Sequence, residues 1–290
     1  MTGSLGFQNK IKPYLFLLPI LVFAAGFVYY PFVRTFMYSF SRVNFRGDIT
    51  AFVGLRNYKR LFSDPVFYTA LINTLKLTGA SVTLILVISY SLALLAARKR
   101  KAAVLYETMF ILPMAVSMPA ASQIFKMLLE PTMGILNHKL SLDIGWFSDP
   151  GTALFGIVLV CMWVGIPFDF LLFLSALRNI PAQLTEAADL DGAGFLRSLF
   201  RLKIPLTSPT ILYVICTNVV LGMMTAAPVM IITGGQPAHS TVTLIFLMYI
   251  MGYQSSNYSV AACISIITFA LTFGMVILAF VFERRRVHYQ

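Results

Sequence analysis

From Ile204 to Phe282 the chain reads IPLTSPTILYVICTNVVLGMMTAAPVMIITGGQPAHSTVTLIFLMYIMGYQSSNYSVAACISIITFALTFGMVILAFVF, without one Lys, Arg, Asp or Glu. Soluble domains carry about 25% charged residues, so a charge-free run of this length has lipid for a solvent. A bilayer core about 30 Å thick takes about 20 apolar residues per helix, because each backbone amide must be satisfied within its own segment. The run divides at Thr233-Gly234-Gly235-Gln236-Pro237 and again at Gln254-Ser255-Ser256-Asn257. It predicts membrane helices over 207–232 and 258–282. The piece between them, Leu244 to Ile250, is too short to span and dips back or lies on the outer rim.

Four more apolar runs precede it. Pro13 to Val33 is uncharged, with Pro13 suited to a first helical turn and Tyr29 and Tyr30 placed like interfacial anchors. Lys10 and Lys12 lie before this run, which lacks a small-residue cleavage pattern and therefore reads as a retained helix, not a signal peptide. Leu77 to Ala97 lies between Lys76 and Arg98-Lys99-Arg100-Lys101, and Thr108 to Phe125 lies between Glu107 and Lys126. Thr152 to Leu177 is broken by a single acid, Asp169. The expectation is an all-α integral membrane protein of six spans, at about 13–38, 70–97, 105–129, 151–177, 207–232 and 258–282, forming one transmembrane domain over 1–290.

Composition agrees, with 58% hydrophobic residues, 11% charged residues and a mean hydropathy of +0.81 over 290 residues. Cys161, Cys216 and Cys263 all fall in apolar runs without metal-ligand spacing, and read as structural. A net charge of +11 raises nucleic-acid binding, but the basic residues cluster between apolar runs and form no stripe. The clusters report topology instead. Six spans put both termini on one side, and Lys10, Lys12, the 98–101 cluster, the 178–203 loop and Arg284-Arg285-Arg286 make that side cytoplasmic. The opposite side holds Arg42, Arg46, Arg56, Lys59, Arg60 and Lys139, so the first outer loop is more basic than the rule favours.

Between the fourth and fifth spans lies the polar segment 179–205. Pro181 opens a first short helix, with Glu186 and Asp189 toward its amino-terminal half where the helix dipole favours negative charge. Gly192 and Gly194 permit a turn, and Phe195 to Leu202 interleaves apolar residues with Arg197 and Arg201 up to a stop at Ile204-Pro205. From these residues alone the segment is either a solvated basic loop or a docking element.

Glu186-Ala187-Ala188-Asp189-Leu190-Asp191-Gly192-Ala193-Gly194, followed by Ile204-Pro205-Leu206, resembles the E-A-A loop of binding-protein-dependent ABC importer permeases. The resemblance implies a type I importer permease fold, a bacterial inner-membrane location and a coupling helix seated on an ATPase subunit. On it, Glu186 supplies a polar contact, Ala187 and Ala188 a close apolar approach, and Gly192 the turn. Asp189, Asp191, Ala193 and Gly194 belong to the same coupling set. The partners it implies are a second homologous permease, two ATPase subunits that bind ATP and Mg, and an extracellular or periplasmic solute-binding protein, all in membrane lipid. It implies no cofactor, metal or nucleic acid for this chain.

The likeness extends to the carbohydrate and glycerol-3-phosphate branch. Phe52-Val53-Gly54-Leu55-Arg56-Asn57-Tyr58, Leu61-Phe62 and Asp64-Pro65 are similar to the segment before the second span in that branch. Thr233 to Pro237 is similar too, although Gln236 interrupts the usual Gly-Gly-Pro, and so is the terminal Val287-His288-Tyr289-Gln290. Trp163-Val164-Gly165-Ile166-Pro167-Phe168 matches the maltose-permease segment that lines a sugar site. That register implies that Val164, Gly165 and Phe168, with Asn218, Leu221, Gly222 and Thr225 of the fifth span, face the substrate. The same small residues also serve ordinary helix packing.

Asp169 is a functional-site candidate because an ionisable group in a span costs about 2.5–3.5 kcal/mol on insertion scales, or else it pairs with another subunit. Lining the path, it would repel a phosphate ester, and no base in the middle of spans four to six offsets it. The expected cargo is therefore a carbohydrate or related polyol, with glycerol-3-phosphate or a glycerophosphodiester as the alternative.

Other classes fit less well. His138, His239 and His288 have no paired acids, and no nucleophile-base set is visible, so no catalytic residue is expected. The chain has no Gly-x-x-x-x-Gly-Lys phosphate loop and cannot use ATP alone. A secondary carrier or channel independent of ATP is the competitor, and it would more often show internal repeats and several buried acids.

Overall fold

The computed structural model describes residues 4–97, 103–132, 134–141 and 144–283. The Arg98–Lys101 cluster, the Arg284–Arg286 triplet and Val287–Gln290 with His288 lie outside the described residues. The chain divides into two compact units, 1–63 with 248–267, and 64–247 with 268–290.

In the first unit, α1 (Ser4–Ala24) runs through a π turn at Ala25–Tyr29 into α2 (Tyr30–Ser39), with Pro31 in the first turn of α2 where a missing N–H is harmless. A hairpin follows, β1 (Ser41–Val43) antiparallel to β2 (Ile49–Phe52), with a bulge between Arg42 and Val43. This small sheet adds to the helices expected from sequence. Its turn is built by Asn44, whose Oδ1 accepts from the amides of Arg46 and Asp48 at 3.0 and 2.8 Å, while Gly47 takes φ +86°. Helix α3 (Arg56–Phe62) is fastened to the hairpin by Asn57, whose Nδ2 donates to the carbonyls of Ser39 and Ser41, each at 3.0 Å. Tyr58 Oη donates to Ser39 Oγ at 2.9 Å, and burial raises the Tyr58 pKa against the lowering by that bond, so the phenol keeps its proton.

The second unit begins at α4 (Pro65–Ala96), capped by Asp64, whose carboxylate accepts from Val66 N at 2.9 Å. Then come α5 (Ala103–Ile111), a tight turn at Leu112–Ala115, α6 (Met118–Leu128) and α7 (Ile135–Leu140). The third apolar run is thus not one straight helix: 104–115 and 118–128 meet at 100°. Pro113 and Pro119 withhold backbone donors on either side of Ser117, which caps α6 through Ala120 N at 3.4 Å. Helix α8 (Ala153–Arg178) carries Pro167 internally without ending. Its Arg178 pairs with Glu107 of α5 through Nη2 and Nη1, at 2.5 and 3.3 Å.

Helix α9 (Ala182–Leu190), α10 (Phe195–Ser198), a π turn at Leu199–Lys203 and α11 (Ile204–Leu206) make up the polar segment. Its second helical stretch does not stop at Ile204-Pro205, because Pro205 falls in the first turn of a new helical segment where it needs no acceptor. Helix α12 (Ser208–Met223) follows at 71° to 195–206. The fifth run breaks after Met223. Residues 224–226 interrupt it, helix resumes at 227–228 and runs into a π turn at Val229–Thr233, and α13 (Leu244–Tyr249) and α14 (Tyr258–Glu283) follow. Among the described residues four helices are long and apolar enough to cross a membrane, Tyr14–Ser39, Pro65–Ala96, Ala153–Arg178 and Tyr258–Val281, and the number is six when each of the two bent pairs is taken as one span.

The centre of the second unit is α4 packed on α8 and α12. Along α4 the buried positions include Ala70, Thr74, Thr78, Ser81, Ser89, Ala93 and Ala96, a face of small side chains that lets helix backbones approach closely where no hydrophobic drive between helices exists. Against it lie Phe170, Phe173, Leu174, Leu177 and Val214. Polar groups on the same face fix the segment before α13. Asn73 Nδ2 donates to the carbonyls of His239 and Val242 at 3.0 and 3.1 Å, and Thr74 Oγ1 accepts from Leu244 N at 2.8 Å.

Candidate functional site: a membrane cavity and a polar loop

A cavity of about 470 Å³ opens between α4, α6, α8 and α12. Val164, Gly165, Phe168 and Asp169 of α8, Asn218, Leu221 and Gly222 of α12, and Thr225 just beyond α12 all line it, so the eight substrate-path residues expected from sequence come together in one place. Asp169 and Asn218 are 3% and 6% exposed. Asn218 Nδ2 donates to Asp169 Oδ2 at 2.6 Å and to the Val214 carbonyl at 2.9 Å, which gives the acid a hydrogen-bond partner within the chain. Among the described residues no Lys, Arg or His lines the cavity.

The two glycines have a packing duty as well. A Cβ on Gly222 would lie 2.9 Å from Thr78 Cγ2 and 3.2 Å from Thr78 Cα, and one on Gly165 would lie 2.7 Å from Ile85 Cδ1. They seat α12 and α8 on α4. Sequence reading missed the contribution of α4 itself, from which Ser81 and Ile85 reach the cavity. Ser81 Oγ and its neighbour Thr78 Oγ1 are buried hydroxyls without a hydrogen-bond partner among the described residues. Burying a hydroxyl unpaired costs about 1–3 kcal/mol on protein mutational scales, a cost that a polar group reaching Ser81 would offset. The signal in the sequence was the recurrence of Thr74, Thr78, Ser81 and Ser89 in one apolar run, since hydroxyls in spans turn toward the bundle interior.

The polar loop presents the second candidate surface. Glu186, Ala187, Asp189, Asp191, Gly192 and Gly194 are exposed, and Ala188 and Ala193 are half-buried. Helix α9 ends in a Schellman cap: Ala193 N donates to Ala188 O at 3.0 Å and Gly192 N to Asp189 O at 3.1 Å, with Gly192 at φ +70°. The four-residue spacing from Ala188 to Gly192 is therefore the geometry of this cap. Leu190, Leu196 and Phe200, 89%, 65% and 63% exposed, add an apolar surface that the sequence reading did not single out. Among the described residues no three His, Cys, Asp or Glu side chains gather as a metal site.

Comparison with known proteins bears on the family and the fold. The family profile described as "Binding-protein-dependent transport system inner membrane component" matches residues 85–288. The sn-glycerol-3-phosphate transport system permease protein UgpA of Yersinia pestis bv. Antiqua (strain Antiqua) is 35% identical over 289 residues, covering 98% of each chain. The protein of the same name from Pectobacterium atrosepticum is 34% identical, again over 98% of each chain. Among solved structures, a chain of a bacterial ABC transporter involved in the import of the acidic polysaccharide alginate superposes with a TM-score of 0.84 at 22% identity, covering 96% of this chain and 98% of that one, a likeness of fold. The chain belongs to the inner-membrane components of binding-protein-dependent transport systems: it is a multi-span, non-catalytic permease subunit of an ATP-driven importer.

Proposed function

We propose that this chain forms half of the translocation path for a glycerol-phosphate solute, sn-glycerol-3-phosphate or a glycerophosphodiester, and passes ATPase motion to that path through the 182–206 loop. The observation that carries the cargo is the 35% identity, along 98% of both chains, to permeases named for sn-glycerol-3-phosphate. It outweighs the neutral-carbohydrate expectation, which rested on Asp169 lining the path with no base in the middle of spans four to six to offset it. In the folded chain that carboxylate is buried and takes a hydrogen bond from Asn218. Hydroxyl and amide groups at Ser81, Thr217, Asn218 and Thr225 suit a polyol moiety, while the positive charge for a phosphate comes from elsewhere in the importer.

In this reading both termini and the loop face the cytoplasm. Glu186, Asp189 and Asp191 and the exposed Leu190, Leu196 and Phe200 meet one of two ATPase subunits, which hold ATP and Mg. Ala187 gives close approach, and Ala188, Gly192, Ala193 and Gly194 shape the turn. A second permease completes the cavity, with Val164, Gly165, Phe168, Leu221 and Gly222 as this chain's share of its wall, and a solute-binding protein delivers cargo from the other side. The 179–205 stretch is the coupling element of a single membrane domain.

The test is uptake by proteoliposomes holding the full importer with its binding protein and internal ATP. Labelled glycerol-3-phosphate accumulates, unlabelled glycerophosphodiester competes, and a neutral oligosaccharide does not. Competition by the oligosaccharide alone overturns the cargo, and uptake without the ATPase overturns the coupling. The absence of any basic lining residue favours the neutral carbohydrate as the second reading.

A further inference from the structure

A second cavity, of about 380 Å³, lies in the first unit among β1, α3 and the start of α14. Arg42, Arg56 and Arg60 line it. Arg56 and Arg60 stand one helical turn apart, a spacing at which like charges repel, and the β1 residue Arg42 adds a third positive charge to the same space. None of the three has an ion-pair partner among the described residues, where Arg178–Glu107 is the salt bridge found. The acid described in this unit, Asp48, is occupied by the Asn44 side-chain amide at 3.2 Å.

Two further features point at the same space. Asn257, Ser259 and Val260 line it, and they stand at the amino-terminal end of α14, a helix of 26 residues. First-turn amides have no intrahelical acceptor and carry the positive end of the helix dipole. Asn257 Oδ1 caps one of them, Val260 N, at 3.3 Å. Ser259 is 7% exposed, and its Oγ already accepts from Val43 N at 3.0 Å. That bond leaves its proton to donate, and no acceptor for it is present among the described residues. The wall is held rigidly, since Asn57 ties α3 to Ser39 and Ser41 and the Val43–Ser259 bond ties β1 to α14. Arginine forks, a helix amino terminus and a free hydroxyl are the donor set that phosphate oxygens take. The charge is also costly for topology, since it lies in the loop whose basic residues run against the positive-inside rule.

We propose that this pocket is a binding site for a phosphate-bearing anion, separate from the membrane cavity, with Arg42, Arg56, Arg60 and Ser259 as its donors. The phosphate group is carried either by a free solute or by an anionic lipid headgroup at the membrane surface. Neither source depends on the cargo proposed above, and the test uses no cargo.

The importer, with all its subunits, is placed in nanodiscs of phosphatidylcholine and titrated with labelled inorganic phosphate. In parallel, discs doped with phosphatidylglycerol are stripped and co-purified lipid is measured by native mass spectrometry. Saturable phosphate binding that falls at least fivefold in Arg56→Gln/Arg60→Gln, and severalfold in Ser259→Ala, supports a free anion. Phosphatidylglycerol retention lost in the same variants supports a headgroup. Arg46→Gln, an exposed hairpin arginine outside the pocket, leaves both readouts unchanged, and Arg56→Lys retains part of the binding. The arginines are exposed, so Arg56→Gln/Arg60→Gln keeps the fold, and co-purification of the other subunits checks this for it and for Ser259→Ala, which also loses the tie to Val43. Binding of neither phosphate nor phosphatidylglycerol, or binding indifferent to Arg56→Gln/Arg60→Gln, overturns the proposal.

Discussion

Asn218 donates to Asp169 across 2.6 Å, joining α12 to α8 in the wall of the membrane cavity. The bond answers the cost of an acid in a span, and its removal strands that acid. Asn218→Ala is expected to lower stability by about 1–3 kcal/mol, the cost of leaving a buried polar group unpaired, while Asp169→Asn leaves two amides that still bond and costs less. Thermal unfolding of the purified importer in detergent checks the order. Equal midpoints for Asn218→Ala and wild type would show that the pair does not hold the helices.

The two cavity glycines differ in what a side chain would strike. At Gly222 the obstacle is the short, branched Thr78 and its Cα, whereas at Gly165 it is the far end of Ile85, which rotates away. Gly222→Ala should therefore cost about 1–3 kcal/mol as an overpacked contact, and Gly165→Ala clearly less. Importer yield and unfolding midpoint measure both. A reversed order would mean that α8, not α12, has the tighter seat on α4.

Ser81 is buried with its hydroxyl unpaired. Ser81→Ala removes that penalty, so the empty importer should gain up to about 1 kcal/mol. Uptake should show a KM raised severalfold with kcat little changed, because a ligand contact is lost and the coupling loop is untouched. A KM equal to wild type would take Ser81 out of the path.

At Gly192 a Cβ meets nothing within 4 Å, so substitution acts through φ +70° and through whatever docks there. Asn tolerates the left-handed region, and a branched residue does not. Gly192→Asn should keep the ATPase bound, Gly192→Val should lose about 1–2 kcal/mol of local stability, and Gly192→Asp should block ATPase association by adding charge to the docking face. Co-purification of the ATPase distinguishes them, and normal recovery with Gly192→Asp counts against the loop as the docking element.

Hydropathy made the apolar runs legible but not where they bend. Pro167 sits inside α8 without ending it, while Pro113 and Pro119 flank a 100° bend and Pro205 and Pro209 flank one of 71°. The residue type is the same in each place. What differs is whether neighbouring helices and side chains re-satisfy the freed backbone groups, which no local pattern reports. The hairpin at Ser41–Phe52 was likewise too short for a periodicity to declare itself.

Sequence by itself determined the solvent, the apolar segments, the polar loop and, through Glu186 to Gly194, the family. Those properties are local: charge content, run length and a capped helix end are written in consecutive residues. The tertiary structure alone decided that Asp169 meets Asn218, that Ser81 of α4 belongs to the cavity, and that Arg42 joins Arg56 and Arg60 beside the start of α14. In a membrane helix nearly every face is apolar, so no amphipathic stripe tells which side is inward, and the partners of a buried polar group appear only once the helices are packed.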